Sequence, residues 1–373
     1  MGYHGFTRTT NECPDSVRTF RKCPNTAPPS SERWSEVLQS AIPRSAAPPN
    51  SSSLERLIQR ATRAETVSLG ERVQALWSGY GEVRRATLVG IEPAQVVVKY
   101  VVPRAPAGAK SSSPEARSHA RKLRSYQVER AFYETYAARC GEACRVPSAL
   151  HVSSEGEQML FVLEDLDAAG FSARRDHVSD SELRAGLGWL AAFHATFLNE
   201  PPQSLWKTGS YWHLGTRPDE LQALRDRSLQ LAAPELDQRL SRARFRTFVH
   251  GDAKLQNFCF APDGSAVAAV DFQYVGGGVG VKDLAYFLSS CLPSARLERE
   301  AESYLDDYFQ ALRRALERRE YRDADCAALE AEWRGLYPIA CADFYRFLLG
   351  WAGEPGGRDR YLEGVTRALL SRL

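Results

Sequence analysis

Lysine is scarce in this chain. Only seven of the 48 basic residues are Lys, at positions 22, 99, 110, 122, 207, 254 and 282. Net charge is scarce too, at +2 from 48 basic and 46 acidic residues. That balance removes the electrostatic case for nucleic acid or an anionic membrane as partner. No stretch reaches the ~20 apolar residues that a membrane span needs. The N-terminus lacks the apolar core of a secretory signal, and Phe6 stands where a myristoylation signal wants Ser or Thr. Zinc spacing is missing as well. Of the eight Cys only Cys140 and Cys144 are close, and no second pair completes a site. Cys259, Cys291 and Cys341 lie in apolar stretches, as buried free thiols do. A reducing, cytoplasmic compartment is the expectation.

What is present is ordinary in bulk, with 43% hydrophobic and 25% charged residues, and the chain is long enough for two lobes with a core. Residues 1–52, with "NTAPPSS" and "SAAPPNSSS", read as a disordered tail, in which "SERWSEVLQSAI" could form a short helix. Residues 53–163 read as a small β-rich lobe. It opens with an amphipathic helix over 54–66 and continues with two or three antiparallel strands over 73–103. A flexible insert at 104–118 and a helix over 119–140 follow. Residues 164–373 read as a helical lobe with a short β insertion at 246–272. Ser179 and Glu182 form a capping box for a buried helix. The order gives an α+β, bilobal chain with a cleft between unequal lobes, where ligand sites prefer to sit.

Chemistry concentrates in two places. In "FVHGDAKLQNFCF", Asp252 and Asn257 are close enough in one turn to point into one site, and Asp271 ends the apolar strand "AVAAVDF". Such an all-oxygen set suits Mg²⁺, which keeps waters and shares its coordination with substrate phosphates. A carboxylate not needed by the metal can take the proton of a hydroxyl nucleophile. In the small lobe, Lys99 closes the apolar strand "VVVKY", where an unpaired Lys is costly. Glu129 in the next helix can pair with it. "SGYGEV" supplies Gly79 and Gly81, whose backbone can approach a phosphate. Together these are the parts of phosphoryl transfer from ATP.

The stretches "HGDAKLQN", "AVDFQYVGGGVGVKDLAYFL" and "LFVLEDLDAAGF" resemble the protein-kinase-like small-molecule phosphotransferases, the aminoglycoside phosphotransferase and choline kinase group. The resemblance is nearest to the ecdysteroid-kinase-like, or CHK-kinase-like, branch and runs from about residue 54 to the end. It implies a protein-kinase-like fold and an ATP- and Mg²⁺-dependent transfer to a small-molecule alcohol. Asp252 would orient or deprotonate the hydroxyl. Asn257 and Asp271 would hold Mg²⁺. Lys99, steered by Glu129, would contact the α/β-phosphates under Gly79 and Gly81. The hinge from Glu164 to Leu166 would offer backbone groups to adenine, and His250 would support the loop.

Two departures matter. Phe272 and Gln273 follow Asp271 where protein kinases have Gly, which disfavours a mobile activation segment. Lys254 resembles the lysine that protein kinases place two residues after the catalytic Asp, and it is assigned to the phosphoryl group in transfer. Asp283 reads as a structural early-helix carboxylate and His194 as a packed helix histidine. The glycine run 276–278 reads as a floppy loop. The aromatic stretch 332–351 reads as core, with a lesser option in which Asp343 and its aromatics hold a cationic acceptor. A non-catalytic nucleotide-binding protein, a protein kinase and a metal-dependent hydrolase are the competing functions.

Overall fold

The computed structural model describes residues 51–104, 113–352 and 359–373. Residues 1–50 of the expected tail, with its short helix, and residues 105–112 of the insert lie outside the described residues, whereas Ser51 and Ser52 begin a helix.

Helix α1 (Ser51–Thr62) opens the described chain. Strands β1 (Thr66–Ala75), β2 (Gly81–Val89) and β3 (Gln95–Val101) follow as an antiparallel meander. Then come α2 (Pro114–Thr135), β4 (Ala149–Glu155) and β5 (Gln158–Glu164). The sheet order is β1-β2-β3-β5-β4. Alternation along the strands decides the two faces. Ala86, Leu88, Val96, Val98, Leu160 and Val162 pack on Leu54 and Ile58 of α1. Lys99 and its partners Val83 and Phe161 take the other face, against α2.

Several boundaries differ from the sequence reading: α1 runs Ser51–Thr62 rather than 54–66, and β1 and α2 also start earlier. β1 begins at Thr66, where Val67 and Leu69 alternate with polar residues and pack on the α1 core. α2 begins at Pro114, inside the stretch read as an insert. Ser113 caps it by accepting from the Ala116 N–H at 3.2 Å, and Pro at the first helical position loses no hydrogen bond.

The second lobe is mainly helical: α3 (Asp180–Thr196), α4 (Pro218–Ala223), α5 (Arg227–Ser241), α6 (Val281–Cys291), α7 (Ser294–Glu317), α8 (Asp323–Ala352) and α9 (Arg360–Leu370). The expected capping box starts α3, with Ser179 and Glu182 bonding reciprocally. Two short ladders form the β insertion: β6 (Thr247–Val249) with β9 (Gly276–Gly278), and β7 (Phe258–Phe260) with β8 (Val267–Ala269). The protein is thus an α+β bilobal molecule with a small β-sheet lobe and a larger helical lobe.

The glycine run corrects its reading as a loop. Gly276–Gly278 is a buried strand. A Cβ on Gly276 would stand 2.2 Å from the Trp206 carbonyl oxygen. The glycines let two backbones close up rather than confer mobility.

Candidate active site

The chain leaves β6 through His250, Gly251 and Asp252. Gly251 has a φ of +80°, and a Cβ there would meet the Tyr274 carbonyl oxygen at 2.2 Å. Only glycine turns the chain here. Asp283, in the first turn of α6, accepts from the N–H groups of His250 at 2.5 Å and Gly251 at 2.9 Å. It also meets His194 Nε2 at 3.1 Å. Asp283 therefore holds the loop rather than merely favouring its own helix. His250 accepts from the Asp252 N–H through Nδ1 at 3.3 Å, so its Nε2 carries the proton and donates to the Val270 carbonyl at 3.0 Å. Both its nitrogens are committed, as a supporting residue requires.

Asp252 is thereby presented on a rigid loop, 6% exposed. Asn257 Nδ2 donates to the Asp252 carbonyl at 2.7 Å and to its carboxylate at 3.1 Å. That fixes the amide and leaves the Asn257 side-chain oxygen as the free acceptor. Lys254 Nζ lies 3.4 Å from Asp252 Oδ2. Burial works against the lysine charge, but Asp252, Tyr286 and Asp271 outweigh it and raise its pKa. The Tyr286 hydroxyl faces Asp252, and burial above all, with that carboxylate, raises the phenol's pKa.

Asp271 follows from Asn257 by a direct link, since the Val270 N–H donates to the Asn257 carbonyl at 3.0 Å. Asp271 has left-handed φ and ψ of 68° and 67°, strained for a residue with a Cβ. Its Oδ1 is buried without a hydrogen-bond partner, a costly state for a carboxylate oxygen. Among the described residues, no cluster of three or more His, Cys, Asp or Glu could hold a metal unaided. A hard cation completed by phosphates and water needs no such cluster. The orphaned Asp271 oxygen and the free Asn257 oxygen fit Mg²⁺.

The small lobe brings its parts to the same place. Lys99 Nζ donates to both Glu129 oxygens, at 2.9 and 2.7 Å. Burial raises the Glu129 pKa to about 7. Lys99 opposes that shift and Asp271 adds to it, which sets Asp271 near the pair. One turn along α2, Phe132 stacks on Phe272 at 4.0 Å. Phe272 also meets His250 at 4.8 Å. The residue after Asp271 therefore ties the Glu129 helix to the Asp252 loop.

The turn between β1 and β2 carries Gly79 and Gly81 at φ +68° and +128°. A Cβ on Gly81 would stand 1.9 Å from the Tyr100 carbonyl oxygen. α2 holds this turn: Lys122 donates to Ser78 Oγ at 2.6 Å, and His119 bonds the Tyr80 hydroxyl. At the lobe junction, the Glu164 side chain is gripped by Arg145, at 2.5 and 2.6 Å. Leu166 is buried, and its carbonyl accepts from the Phe171 N–H at 2.8 Å. Arg85 of β2 pairs with Asp165 and Asp167 beside them. No sequence signal announced Arg85, whose partners lie about eighty positions away. The rarity of lysine was a signal for Lys122.

The aromatic stretch is core, as read, and the lesser option of a cation-holding Asp343 fails. Asp343 is 1% exposed and bound by Lys282 at 3.1 Å, Arg346 at 2.7 Å and the Trp212 indole N–H at 3.2 Å. Burial would raise its pKa, but Arg346 and Lys282 hold it well below the usual carboxylate range. It has no capacity left for a cationic acceptor, and Trp333, Tyr337, Phe344 and Tyr345 around it are buried core. His194 is packed as expected, against Tyr308 and Asp283.

A family model described as a phosphotransferase enzyme family matches residues 81–321, a span that includes Lys99, Glu129, Asp252, Lys254, Asn257 and Asp271 but not Gly79. No curated protein matches. Among solved structures, one similar fold is a Ralstonia eutropha protein provisionally assigned as an aminoglycoside phosphotransferase. It is 14% identical with a TM-score of 0.46, and the match covers 86% of this chain and 95% of that one. Another is the aminoglycoside phosphotransferase APH(3'')-Id of Streptomyces rimosus, in complex with ADP and streptomycin. It is 18% identical with a TM-score of 0.41, covering 72% of this chain and 92% of that one. A Haemophilus somnus protein provisionally assigned as a fructosamine-3-kinase is 13% identical with a TM-score of 0.44, covering 86% and 96%. The family model spans well over half of the chain, and the protein belongs to that phosphotransferase enzyme family.

Proposed function

We propose that the protein is an ATP- and Mg²⁺-dependent phosphotransferase that moves the γ-phosphoryl group to a hydroxyl of a small molecule. The observation that carries this reading is the orphaned, buried Oδ1 of Asp271, beside the buried Lys99–Glu129 pair and the Asp252 loop. Asn257 and Asp271 would hold Mg²⁺, which when bound neutralises charge on the nucleotide phosphates.

The remaining roles belong to the chain's own groups. Lys99, aimed by Glu129, contacts the α/β-phosphates. Gly79 and Gly81 cover them. Backbone groups from Glu164 to Leu166 meet the adenine. Asp252 aligns the acceptor hydroxyl and takes its proton as the new P–O bond forms and the bond to ADP breaks. Lys254 stabilises the phosphoryl group in transfer. Gln273, which stands where protein kinases have Gly, and the buried strand Gly276–Gly278 that follows it support a small-molecule enzyme over a protein kinase. On the same motif residues we place the chain nearest the ecdysteroid-kinase-like branch. Free thiols at Cys140, Cys144 and Cys259 support a cytoplasmic location.

The test is ADP release by purified protein with a library of small alcohols, with and without Mg²⁺. Turnover is expected only with Mg²⁺ and an acceptor. Absence of Mg·ATP binding by calorimetry would overturn the reading.

A further inference from the structure

Beside Asp252 lies a group of cations and tyrosines that the phosphotransfer chemistry does not use. The Tyr211 N–H donates to the Gly251 carbonyl at 2.7 Å, which fastens Tyr211 to the residue before Asp252. The Tyr211 ring carries the Arg217 guanidinium at 4.0 Å and meets Tyr274 edge-on at 4.9 Å. Arg217 is 4% exposed, held by the Tyr211 carbonyl at 2.9 Å and Glu220 at 3.0 Å. From the other lobe, Arg121 of α2 donates to the Thr216 carbonyl at 3.0 Å, which sets it beside Arg217. Lys122, next in the chain, reaches Ser78 in the glycine turn.

The nearby carboxylates are already taken. Asp252 faces Lys254, Glu220 faces Arg217 and Asp219 faces Arg117. Among the described residues, Arg121 and Lys122 have no carboxylate within ion-pair distance. Arg121 and Lys122, which lack a counter-charge, repel each other and the paired Arg217. Arginine forks around a cleft suit a carboxylate or phosphate, which they bind in bidentate fashion.

We infer that the acceptor is a small alcohol that also carries a carboxylate or phosphate group, held by Arg121 and Arg217 while its hydroxyl faces Asp252. The inference rests on the phosphotransferase reading and adds the acceptor's charge to it. Burial, and then Arg121 and Arg217, lower the Lys122 pKa to about 8. A bound anion relieves that repulsion, whereas an aminated acceptor worsens it. Lys122 itself is bonded to Ser78 of the glycine turn and is not part of the acceptor clamp.

The experiment measures ADP release from Mg·ATP with matched small polyols, each in neutral, carboxylated, phosphorylated and aminated form. The carboxylated or the phosphorylated form is expected to give the lowest KM, and the two arms distinguish which. Arg121→Met is expected to raise that KM about ten-fold or more, as loss of a charge-assisted hydrogen bond does, with the affinity for Mg·ATP retained. Arg121→Lys restores part of the loss. Preference for neutral or aminated polyols overturns the inference and leaves the phosphotransferase reading standing. Equal losses of Mg·ATP and acceptor affinity in Arg121→Met also overturn it, because the cations then serve the nucleotide. No ADP release from any polyol overturns both.

Discussion

Lys99 of β3 grips both carboxylate oxygens of Glu129 of α2, at 2.9 and 2.7 Å, and neither residue is more than 7% exposed. The pair joins a strand to a helix, so it exists only when α2 is docked on the sheet. A buried pair of this kind is weak evidence for stability, since desolvation offsets the attraction. In the proposed function its value lies in aiming the lysine.

Glu129 titrates in a useful range. Glu129 has a folded pKa of about 7 against an ordinary 4.5, raised chiefly by burial. Between those values the folded state keeps a proton that the unfolded chain has released. Stability from this group is therefore full below about pH 4.5 and is lost as pH rises through about 7. kcat/KM for ATP should rise over the same window as the ionised carboxylate aims Lys99. In Glu129→Gln both trends should flatten. Melting temperature and kcat/KM measured from pH 5 to 8 check this, and a constant difference between wild type and variant contradicts the assignment.

Asp252→Asn should keep the loop and lose the base. Transfer should fall by about 10²–10⁴, the usual worth of general base catalysis. Calorimetry should find Mg·ATP affinity retained. Transfer at the wild-type rate would remove Asp252 from the reaction.

Asp271→Asn should separate stability from function. The variant neutralises a carboxylate whose Oδ1 is buried without a partner, so the melting temperature without Mg²⁺ should hold or rise. Mg²⁺-dependent binding of ATP should weaken by about ten-fold or more, the cost of about 1.4 kcal/mol. A fall in the metal-free melting temperature would mean that the carboxylate is already satisfied.

Phe272→Ala opens a cavity among Phe132, Phe193 and His250. The expected loss is about 3–5 kcal/mol in urea unfolding. Because Phe272 follows Asp271, Mg·ATP affinity should fall as well. A loss of stability with metal binding intact would show that the stack serves the core alone.

Gly276→Ala tests the buried glycine strand. The new methyl group would lie 2.2 Å from the Trp206 carbonyl oxygen, and the backbone has nowhere to retreat. Destabilisation above about 1–3 kcal/mol is expected from such overpacking. A variant that folds with wild-type stability would restore the floppy-loop reading.

The site was legible to the extent that its signal was local. Asp252 and Asn257 share one turn, and Asp271 ends a recognisable apolar strand, so short-range spacing identifies them. Lys99 stood out because lysine is rare and the strand is apolar. Asp283 was read as serving its own helix, since sequence cannot show that its oxygens face the N–H groups of His250 and Gly251. The lesser option for Asp343 fails for a related reason. Its partners Lys282, Arg346 and Trp212 come from three segments, and only packing shows that they satisfy it. The glycine run looked mobile because glycine signals either freedom or close approach, and the neighbouring backbone decides between them.

The sequence by itself determined the bilobal order and the close spacing of Asp252, Asn257 and Asp271, because hydrophobic period, turn chemistry and short-range spacing are written along the chain. Tertiary structure alone decided the pairing of Lys99 with Glu129, the clamp of Phe272 between lobes and the gathering of Arg121 and Arg217 beside Asp252. These contacts join residues distant in sequence. Their energies depend on burial and on which partner arrives, and neither is encoded in any local stretch.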